Sequence, residues 1–289
     1  MNYLLHILIM LCIYGILALS LNLLIGYAGL LSLAHAAFYG IGAYASTLLM
    51  VRLGLNFFPA LLIGLLISGS LALLIAYPSL RLKGDYFVLA SLGFQIIVFS
   101  ILYNWIGLTR GPYGIPGIPR PTIFGFEFNS LISYFFLTAV VFILIFLLSL
   151  HLCQSPFGRA LKSLREDEIA AKVMGKDVSS LKIWVFITAA GLAAVSGSLY
   201  AGYITYIDPT SFTLDESIFI IAIVLMGGSG NLKGPLAGVL FMIILPEFLR
   251  FLGLPDTIAP NVRQMIYGLL LILLMRYRPQ GLAGEYRFE

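Results

Sequence analysis

The sequence predicts an all-α membrane protein, a bundle of about eight or nine helices that cross the bilayer. Hydrophobic residues make up 60% of the 289 residues and charged residues only 10%. A soluble domain has about 25% charged residues, so this composition excludes a water-soluble fold. The charges are also unevenly placed, because uncharged runs of about 20 residues, the length of a membrane helix, recur along the chain. We expect residues 1–289 to form a single transmembrane domain.

Nine runs with little or no charge are the candidate membrane segments. In order they are Tyr3–Ile25, Leu30–Val51, Phe57–Tyr77, Tyr86–Ile106, Ser130–Leu152, Ile183–Ile207, Ser217–Leu232, Pro235–Phe248 and Gln264–Met275. The first six contain no Asp, Glu, Lys or Arg, each of which costs about 2.5–3.5 kcal/mol at the centre of a span. Each span must satisfy its backbone amides internally, and the alternating pattern of a barrel is absent, so we predict helices. The last three are short and interrupted by Gly or Pro, hence the count of eight or nine.

The basic residues predict the orientation of the bundle, because cytoplasmic loops carry an excess of Lys and Arg. If the runs from Phe57 onward alternate, one side collects Arg81, Lys83, the basic residues of 155–182, Lys233, Arg276, Arg278 and Arg287. That side is therefore cytoplasmic, and strict alternation places the N-terminus outside. The opposite side receives the acidic turn Asp208–Glu216. The net charge of +4 fits this arrangement and gives no reason to invoke nucleic acid.

The run Ile183–Ile207 is predicted to be a central helix, because small residues recur along it at a spacing of four. One row is Ala190, Ala194, Ser198 and Gly202, and the adjacent row is Ala193, Gly197 and Ala201. Small residues on one stripe let helices approach closely in lipid, where packing and weak hydrogen bonds hold them together. A groove that faces lipid or solute is the alternative role for this stripe.

One loop between the spans, residues 153–182, holds an unusual share of the charge. Six basic and four acidic side chains lie in Ser155–Lys182. From Gly158 onward the pattern predicts a short amphipathic helix, in which Pro156 suits the start and Gly175 suits the end. Its apolar stripe would be Leu161, Leu164, Ile169 and Val173. Such a helix on the cytoplasmic side suits a groove on a partner protein, and the four acids argue against the alternative, a solvated loop that only sets topology.

The sequence contains no constellation typical of an enzyme. Gly227–Gly234 resembles a phosphate-binding loop only in part, since Leu232 and Gly234 stand where the motif needs Gly and Ser or Thr. The three histidines are widely separated, and the placement of Cys12 and Cys153 suggests neither a disulfide, nor a metal site, nor a nucleophile. We therefore expect no catalytic activity, no metal and no cofactor in this chain.

A few polar residues inside the spans are candidates for the transport route. Ionisable groups inside a membrane are often functional, and His35 lies in the Gly-rich run Gly26–Tyr44. Gly-interrupted spans point to a transport route, so we predict that Ser32, His35, Tyr44 and Gln95 lie near it. The alternative is that His35, Gln95 and Asn104 bond to neighbouring helices and only order the bundle.

Five separated motifs resemble the permeases of branched-chain amino acid ABC importers, of the LivM type. Residues 168–175, EIAAKVMG, resemble the EAA-x-x-x-G loop by which ABC permeases engage their ATPases, within the longer match at Ser155–Ala171. The other four are Gly26–Tyr44, Gly111–Pro119, Gly227–Pro235 and Arg278–Leu282. The first motif differs from that of the LivH-type permeases, so the resemblance points to the LivM-like partner of a pair.

The resemblance implies partners and site residues. The ATPase-coupling residues would be Gly158, Arg159, Leu161, Arg165, Glu166, Asp167, Glu168, Ala170, Ala171 and Gly175. The partners would be a LivH-like permease, two cytoplasmic P-loop ATPases that bind ATP and magnesium, and an extracytoplasmic solute-binding protein. We predict that Asp208, Asp215 and Glu216 help to seat that binding protein, unless Asp215 or Ser217 merely caps the next helix.

The resemblance also implies function and location. The expected function is ATP-driven import of branched-chain or related amino acids through the cytoplasmic membrane of a bacterium or archaeon. Urea or short amides are an alternative cargo in the same family. A stand-alone secondary transporter is a further alternative, but it would need buried charges for ion coupling, and the first six runs offer only His35.

Overall fold

The computed structural model describes residues 2–79, 84–123, 126–250, 259–278 and 280–284. Their secondary structure is almost entirely helical, so the all-α prediction is confirmed. The helices are α1 (Asn2–Asn22, continued by a π-helical turn at Leu23–Tyr27), α2 (His35–Leu53), α3 (Phe57–Ser79), α4 (Asp85–Asn104), α5 (Ile106–Thr109), α6 (Leu131–Gln154), α7 (Pro156–Glu166), α8 (Glu168–Val173), α9 (Val178–Ile204), α10 (Leu214–Gly227), α11 (Lys233–Arg250) and α12 (Ala259–Tyr277).

Six of these helices are long and apolar enough to cross a membrane, and they correspond to the first six predicted runs. They are α1 with its π-helical turn, α2, α3, α4, α6 and α9. The last three predicted runs correspond to α10, α11 and α12, which are shorter or carry charged residues. The chain is therefore a multi-pass membrane protein.

Helix α9 lies at the centre of the bundle and packs against α2 and α3. A Cβ atom on Gly197 would lie 2.0 Å from the carbonyl oxygen of Tyr39, and one on Gly42 would lie 2.3 Å from Cα of Ala194. The Ser198 hydroxyl donates to the carbonyl of Gly42 at 3.2 Å. Only small residues allow backbones this close, so the predicted central role of this helix is confirmed.

The outer faces of α3, α4 and α6 carry large apolar side chains with no protein against them. Leu66 is 65% exposed, Ile97 57% and Phe136 62%. Helix α6 contains no Asp, Glu, Lys or Arg along its 24 residues. A surface of this kind is stable only in lipid, so these three helices form much of the lipid-facing side.

Two small ribbons cover the end of the bundle that lies opposite α7. Strand β1 (Ile115–Pro116) pairs with β4 (Tyr206–Ile207), and β2 (Thr122–Ile123) pairs with β3 (Phe126–Glu127). The first ribbon ties the connection after α5 to the end of α9. From β4 the chain turns back into the bundle, where a 3₁₀ turn at Pro209–Phe212 precedes α10.

The second membrane helix begins later than predicted. The run Leu30–Val51 was expected to be helical throughout, but residues 29–34 are unwound and α2 begins at His35. Gly29 adopts φ +68°, which ends the preceding helix, and the amide of Leu30 bonds back to the carbonyl of Leu24 at 2.9 Å. The amide of Leu33 bonds to the hydroxyl of Ser91 at 2.9 Å. Bonds of this kind permit an unwound backbone at membrane depth.

Candidate functional site

Helix α7 begins at a tight corner after α6, as the sequence predicts. The Ser155 hydroxyl accepts the amide of Gly158 at 3.3 Å, and Pro156 occupies the first helical position. A Cβ atom on Gly158 would lie 2.3 Å from the carbonyl oxygen of Cys153, so this corner requires glycine. Leu161 and Leu164 are buried against the bundle, which fixes α7 across the end of the membrane helices.

The predicted amphipathic helix is in fact two helices, because Asp167 interrupts it. Asp167 has an extended backbone, with φ −156° and ψ 111°, and its carboxylate accepts the amides of Ile169 at 2.7 Å and Ala170 at 3.0 Å. The carboxylate therefore caps a new helix, α8, in place of continuing the old one. Gly175, with φ +78°, follows the end of α8 as predicted.

The break also divides the predicted apolar stripe. Leu161 and Leu164 face the bundle, whereas Ile169 is 70% exposed and Val173 82%. Met174, 70% exposed, extends the outward-facing part. The single-stripe prediction was wrong because it assumed continuous helical phase through Asp167. The α7 half anchors the segment, and the α8 half presents an uncovered apolar surface.

An ion-pair cluster attaches α8 to α9. Glu168 bonds to Lys182 at 2.8 Å and to Lys172 at 2.9 Å. The side chain of Lys182 is 8% exposed, so this pair is largely withdrawn from water. Burial alone would raise the pKa of Glu168, but the hydrogen bonds and charges of Lys182 and Lys172 lower that pKa to about 2. Ala171, also buried, completes the contact of α8 with the bundle.

Arg165 connects α7 to the end of α1. Its guanidinium donates to the carbonyl of Gly26 at 2.5 Å and pairs with Glu166 at 2.6 Å. A Cβ atom on Gly29 would lie 3.0 Å from Cγ of Arg165, so the arginine also lies directly against the unwound segment. The ammonium of Lys162 sits 5.3 Å from the centre of the Tyr27 ring. A movement of α7 must therefore displace the connection between α1 and α2.

A cavity of about 580 Å³, lined by both apolar and charged side chains, opens beside these contacts. Its walls come from the unwound segment, the start of α4, the α7–α8 pair and the start of α9, and they include Gly29, Asp85, Arg165, Glu168 and Lys182. Arg159, Glu166 and Asp167 are exposed at the same end of the molecule. The exposed members of the predicted coupling set thus form one charged surface beside an apolar patch on α8, whereas Gly158, Leu161 and Ala171 are buried beneath it.

The start of α2 is held inside the bundle by polar side chains from three other helices. His35 Nε2 bonds to the Ser20 hydroxyl at 2.7 Å. The amide of Ala36 donates to the Ser217 hydroxyl at 2.9 Å, and that of Ala37 donates to Gln95 Oε1 at 2.7 Å. The first amides of a helix have no intrahelical partner, so these side chains satisfy them. Ten residues separate Gln95 from the start of α4, about 15 Å, which places this layer near mid-span.

The structure brings two of the four predicted pathway residues, His35 and Gln95, into this layer and buries a third, Ser32, in the unwound segment that precedes it. Ser32, His35 and Gln95 are at most 1% exposed, and the Gln95 amide also donates to the carbonyl of Phe212 at 2.8 Å. Tyr44 lies further along α2, with its ring centre 6.0 Å from that of Phe212. Within the isolated chain these contacts agree with the alternative role for His35 and Gln95, in which they bond to neighbouring helices and order the bundle. A place on the transport route stays a prediction for all four.

The three predicted docking acids lie in different surroundings. Asp208 caps the 3₁₀ turn, accepting the amide of Ser211 at 3.1 Å. Asp215 is exposed in the first turn of α10, and Glu216 accepts the hydroxyl of Tyr14 at 2.7 Å. The side chain of Asp215 makes no capping bond at the start of α10, and Ser217 takes part in the polar layer. The contribution of these acids to docking stays a prediction.

Sequence reasoning missed the small polar residues that complete the layer. Ser20 and Ser91 stand singly in apolar runs, where a serine gives no signal of its partner, and Ser217 was considered only as a helix cap. Tyr14 looks like an ordinary interfacial tyrosine in the sequence, and its bond to Glu216 becomes apparent only when α1 packs against α10. Only the two breaks in the helices, at residues 29–34 and at the turn before α10, indicate that polar partners are needed.

The outer surface is apolar, the central helix is rich in small residues, and charged amphipathic helices form one end of the bundle. These features define a helical, multi-pass membrane protein. The described residues contain no group of acidic, histidine or cysteine side chains that could hold a metal. The turn at Gly227–Gly234 joins two helices, α10 and α11, and not a strand and a helix as a phosphate loop requires.

Comparison with known proteins agrees with this class. Residues 3–275 match the family described as the branched-chain amino acid transport system permease component, and the chain belongs to that family. It is a family of transport permeases and not of enzymes. No solved structure matches the chain.

The similar relatives are permeases from bacteria and archaea. The high-affinity branched-chain amino acid transport system permease protein LivM of Salmonella typhimurium is 34% identical over 95% of this chain and 68% of the relative. A probable LivM permease of Methanocaldococcus jannaschii is 30% identical, covering 94% of this chain and 91% of the relative. The LivH permease of Salmonella typhimurium is 23% identical over 96% of this chain and 92% of the relative.

Proposed function

We propose that this chain is the LivM-like permease subunit of an ABC importer that moves branched-chain amino acids into the cytoplasm. The uncovered apolar patch on α8, within a charged surface at one end of a lipid-facing bundle, carries the proposal. Family membership supports the cargo, since the relatives named LivM and LivH are branched-chain amino acid permeases. No comparison favours urea or short amides.

The chain would lie in the cytoplasmic membrane with α7 and α8 inside. The positive-inside rule supports this orientation. Nine membrane segments would then cross, counting α10, α11 and α12, with the N-terminus outside. Two contacts support the count: Asn22 near the inner end of α1 bonds to the backbone of Asn231 after α10, and Tyr3 at its outer end bonds to Glu247 of α11. All of residues 1–289 would form one membrane unit.

Two cytoplasmic P-loop ATPases would supply the energy, and they would hold ATP and magnesium themselves. The exposed members of the coupling set, Arg159, Glu166 and Asp167, would contact an ATPase together with the α8 patch. Leu161, Ala171, Glu168 and the glycines Gly158 and Gly175 would hold α7 and α8 in the docking geometry. Ala170 lies between these two groups, half-buried.

The contacts of Arg165 suggest how a movement of the ATPases would reach the bundle. A shift of α7 would pull on the carbonyl of Gly26 and on the unwound segment 29–34. That segment leads directly to His35 at the start of α2, where the polar layer joins four helices. The bundle would thereby change between inward- and outward-facing states, which is the bistable element that such a switch requires.

The remaining partners face the membrane and the outside. A second, LivH-like permease would complete the translocation route, on which Ser32, His35, Tyr44 and Gln95 stay candidates. A solute-binding protein would dock outside, with Asp208 and Asp215 as candidate contacts.

The docking claim is tested by placing a charge in the α8 patch. Val173→Asp should abolish co-purification of the ATPases with the permease, because a carboxylate would have to be desolvated in an apolar contact. Tyr113→Asp is the matched control, since Tyr113 is 79% exposed at the opposite end of the molecule. Normal ATPase recovery with Val173→Asp would contradict the assignment of α8 as the docking surface.

A further inference from the structure

A groove of about 490 Å³ runs along the outside of the chain between α10 and α12. Its floor and walls are mainly apolar, but the lining also contains two carboxylates, those of Asp215 and Glu216. The carboxylate of Glu216 accepts the hydroxyl of Tyr14 from α1. The lining includes Ile218, Phe219, Ala222, Gln264, Tyr267 and Leu271. The rings of Phe219 and Tyr267 stand 5.5 Å apart, one from each helix.

Glu216 lies deep in the membrane part of the bundle. Its partner Tyr14 stands twelve residues from the first residue of α1, about 18 Å along the axis, and thirteen residues before Tyr27, about 20 Å. The neighbouring Ser217 bonds to Gln95 at 3.3 Å, and Gln95 is at the middle of α4. Two independent helices therefore place this carboxylate near mid-span, below the ribbons at the outer end.

A carboxylate at this depth is unstable against lipid. A charged side chain at the centre of a span costs about 2.5–3.5 kcal/mol, and such groups almost always face a water-filled cavity or a partner. Tyr14 satisfies one of about four acceptor positions of the carboxylate. Among the side chains that the structure describes, Glu216 forms no ion pair. The lipid-facing helix α6, in contrast, is uncharged throughout.

We propose that this groove is part of the translocation route and that Glu216 binds the ammonium group of an aliphatic amino acid passing through it. The chemistry of the groove is complementary to that ligand. The carboxylate offers free acceptor positions to the ammonium, and the wall of Ile218, Phe219 and Leu271 suits a branched aliphatic side chain. This inference rests on the proposed function, because it requires an amino acid as the transported solute.

Cysteine labelling tests whether the groove faces water or lipid. The complex is assembled from a chain in which Cys12 and Cys153 are replaced by alanine, and single cysteines are introduced. Ile218→Cys lines the groove and Val140→Cys lies on α6, and the native residues are 48% and 54% exposed. A cationic, membrane-impermeant methanethiosulfonate should modify the cysteine at 218 and not that at 140, and saturating leucine with the binding protein should slow the reaction. Equal reactivity at both sites, or no slowing by leucine, would overturn the proposal.

Transport by Glu216 variants tests the role of the charge. Glu216→Gln in the assembled complex should lower leucine uptake by at least about tenfold, and Glu216→Asp should restore part of it. Glu247→Gln is the matched control, because Glu247 also accepts a tyrosine hydroxyl of α1 and lies outside the groove. Full uptake by Glu216→Gln would overturn the proposal.

Loss of complex assembly in Glu216→Gln would show instead that the groove is covered by the second permease, and it would also overturn the proposal. The parent complex separates this failure from a failure of the proposed function. If the parent shows no ATP-driven leucine uptake, the proposed function itself is wrong. If the parent transports and the variant does too, only the role of Glu216 is wrong.

Discussion

At the scale of the residue, the attachment of α8 depends on Glu168. Replacing it by glutamine leaves Lys182, 8% exposed, without an anionic partner. Leaving a largely buried polar group unsatisfied costs about 1–3 kcal/mol. Glu168→Gln should therefore lower the melting temperature of the complex and speed amide hydrogen exchange in α8. Lys172→Gln removes only the exposed ion pair between Lys172 and Glu168, which is worth less than about 1 kcal/mol. It should change the melting temperature and the exchange rate little.

The same carboxylate gives a dependence on pH with a definite sign. The pKa of Glu168 falls from 4.5 to about 2 on folding. Its contribution to stability is therefore complete above pH 4.5 and declines as the pH falls from 4.5 toward about 2. The exchange rate of the α8 amides should rise over this range in the native protein. If Glu168→Gln shows the same rise, the ion-pair cluster is not its cause.

At the scale of the element, α7 packs against the bundle and is also expected to transmit the movement of the ATPases to α1. Arg165→Lys keeps a positive charge but loses the planar fork that reaches the carbonyl of Gly26. The ATPases should still bind and hydrolyse ATP, since the α8 patch is unchanged, but leucine uptake per ATP should fall several-fold. The measurement is the ratio of uptake to hydrolysis in proteoliposomes.

The control for this prediction lies on the same helix. Arg159 is exposed and, among the bonds described, bonds only to the nearby carbonyl of Gln154, at 3.0 Å. Arg159→Lys keeps the positive charge that would face the ATPase and breaks no contact with α1, so it should leave the uptake ratio unchanged. An unchanged ratio in Arg165→Lys would show that the motion reaches the bundle by another contact.

At the scale of the whole molecule, much of the architecture could be predicted from the sequence. The first six spans follow from uncharged runs, and the central position of α9 follows from its rows of small residues, because both patterns have a direct physical cause. The start of α7 at Pro156 and the termination of α8 before Gly175 could also be predicted. Composition and periodicity therefore determine which segments lie in lipid and which helix lies innermost.

The rest depends on contacts between segments that are distant in the sequence. The break at Asp167 was not predicted, because an aspartate inside an amphipathic pattern can either continue a helix or cap a new one. The late start of α2 depends on Ser91, Gln95 and Ser217, which supply its bonds from other helices. Glu216 was read as part of an external turn, and its depth became visible only through its bond to Tyr14.

The central claim is that this membrane bundle imports amino acids with energy from separate ATPases. The most direct test is leucine accumulation in proteoliposomes that contain this chain, its partner permease, the ATPases and the binding protein. The account predicts accumulation against a gradient only when ATP is hydrolysed on the α7–α8 side of the membrane. Leucine accumulation by this chain alone, driven by a proton or sodium gradient without ATPases, would contradict it.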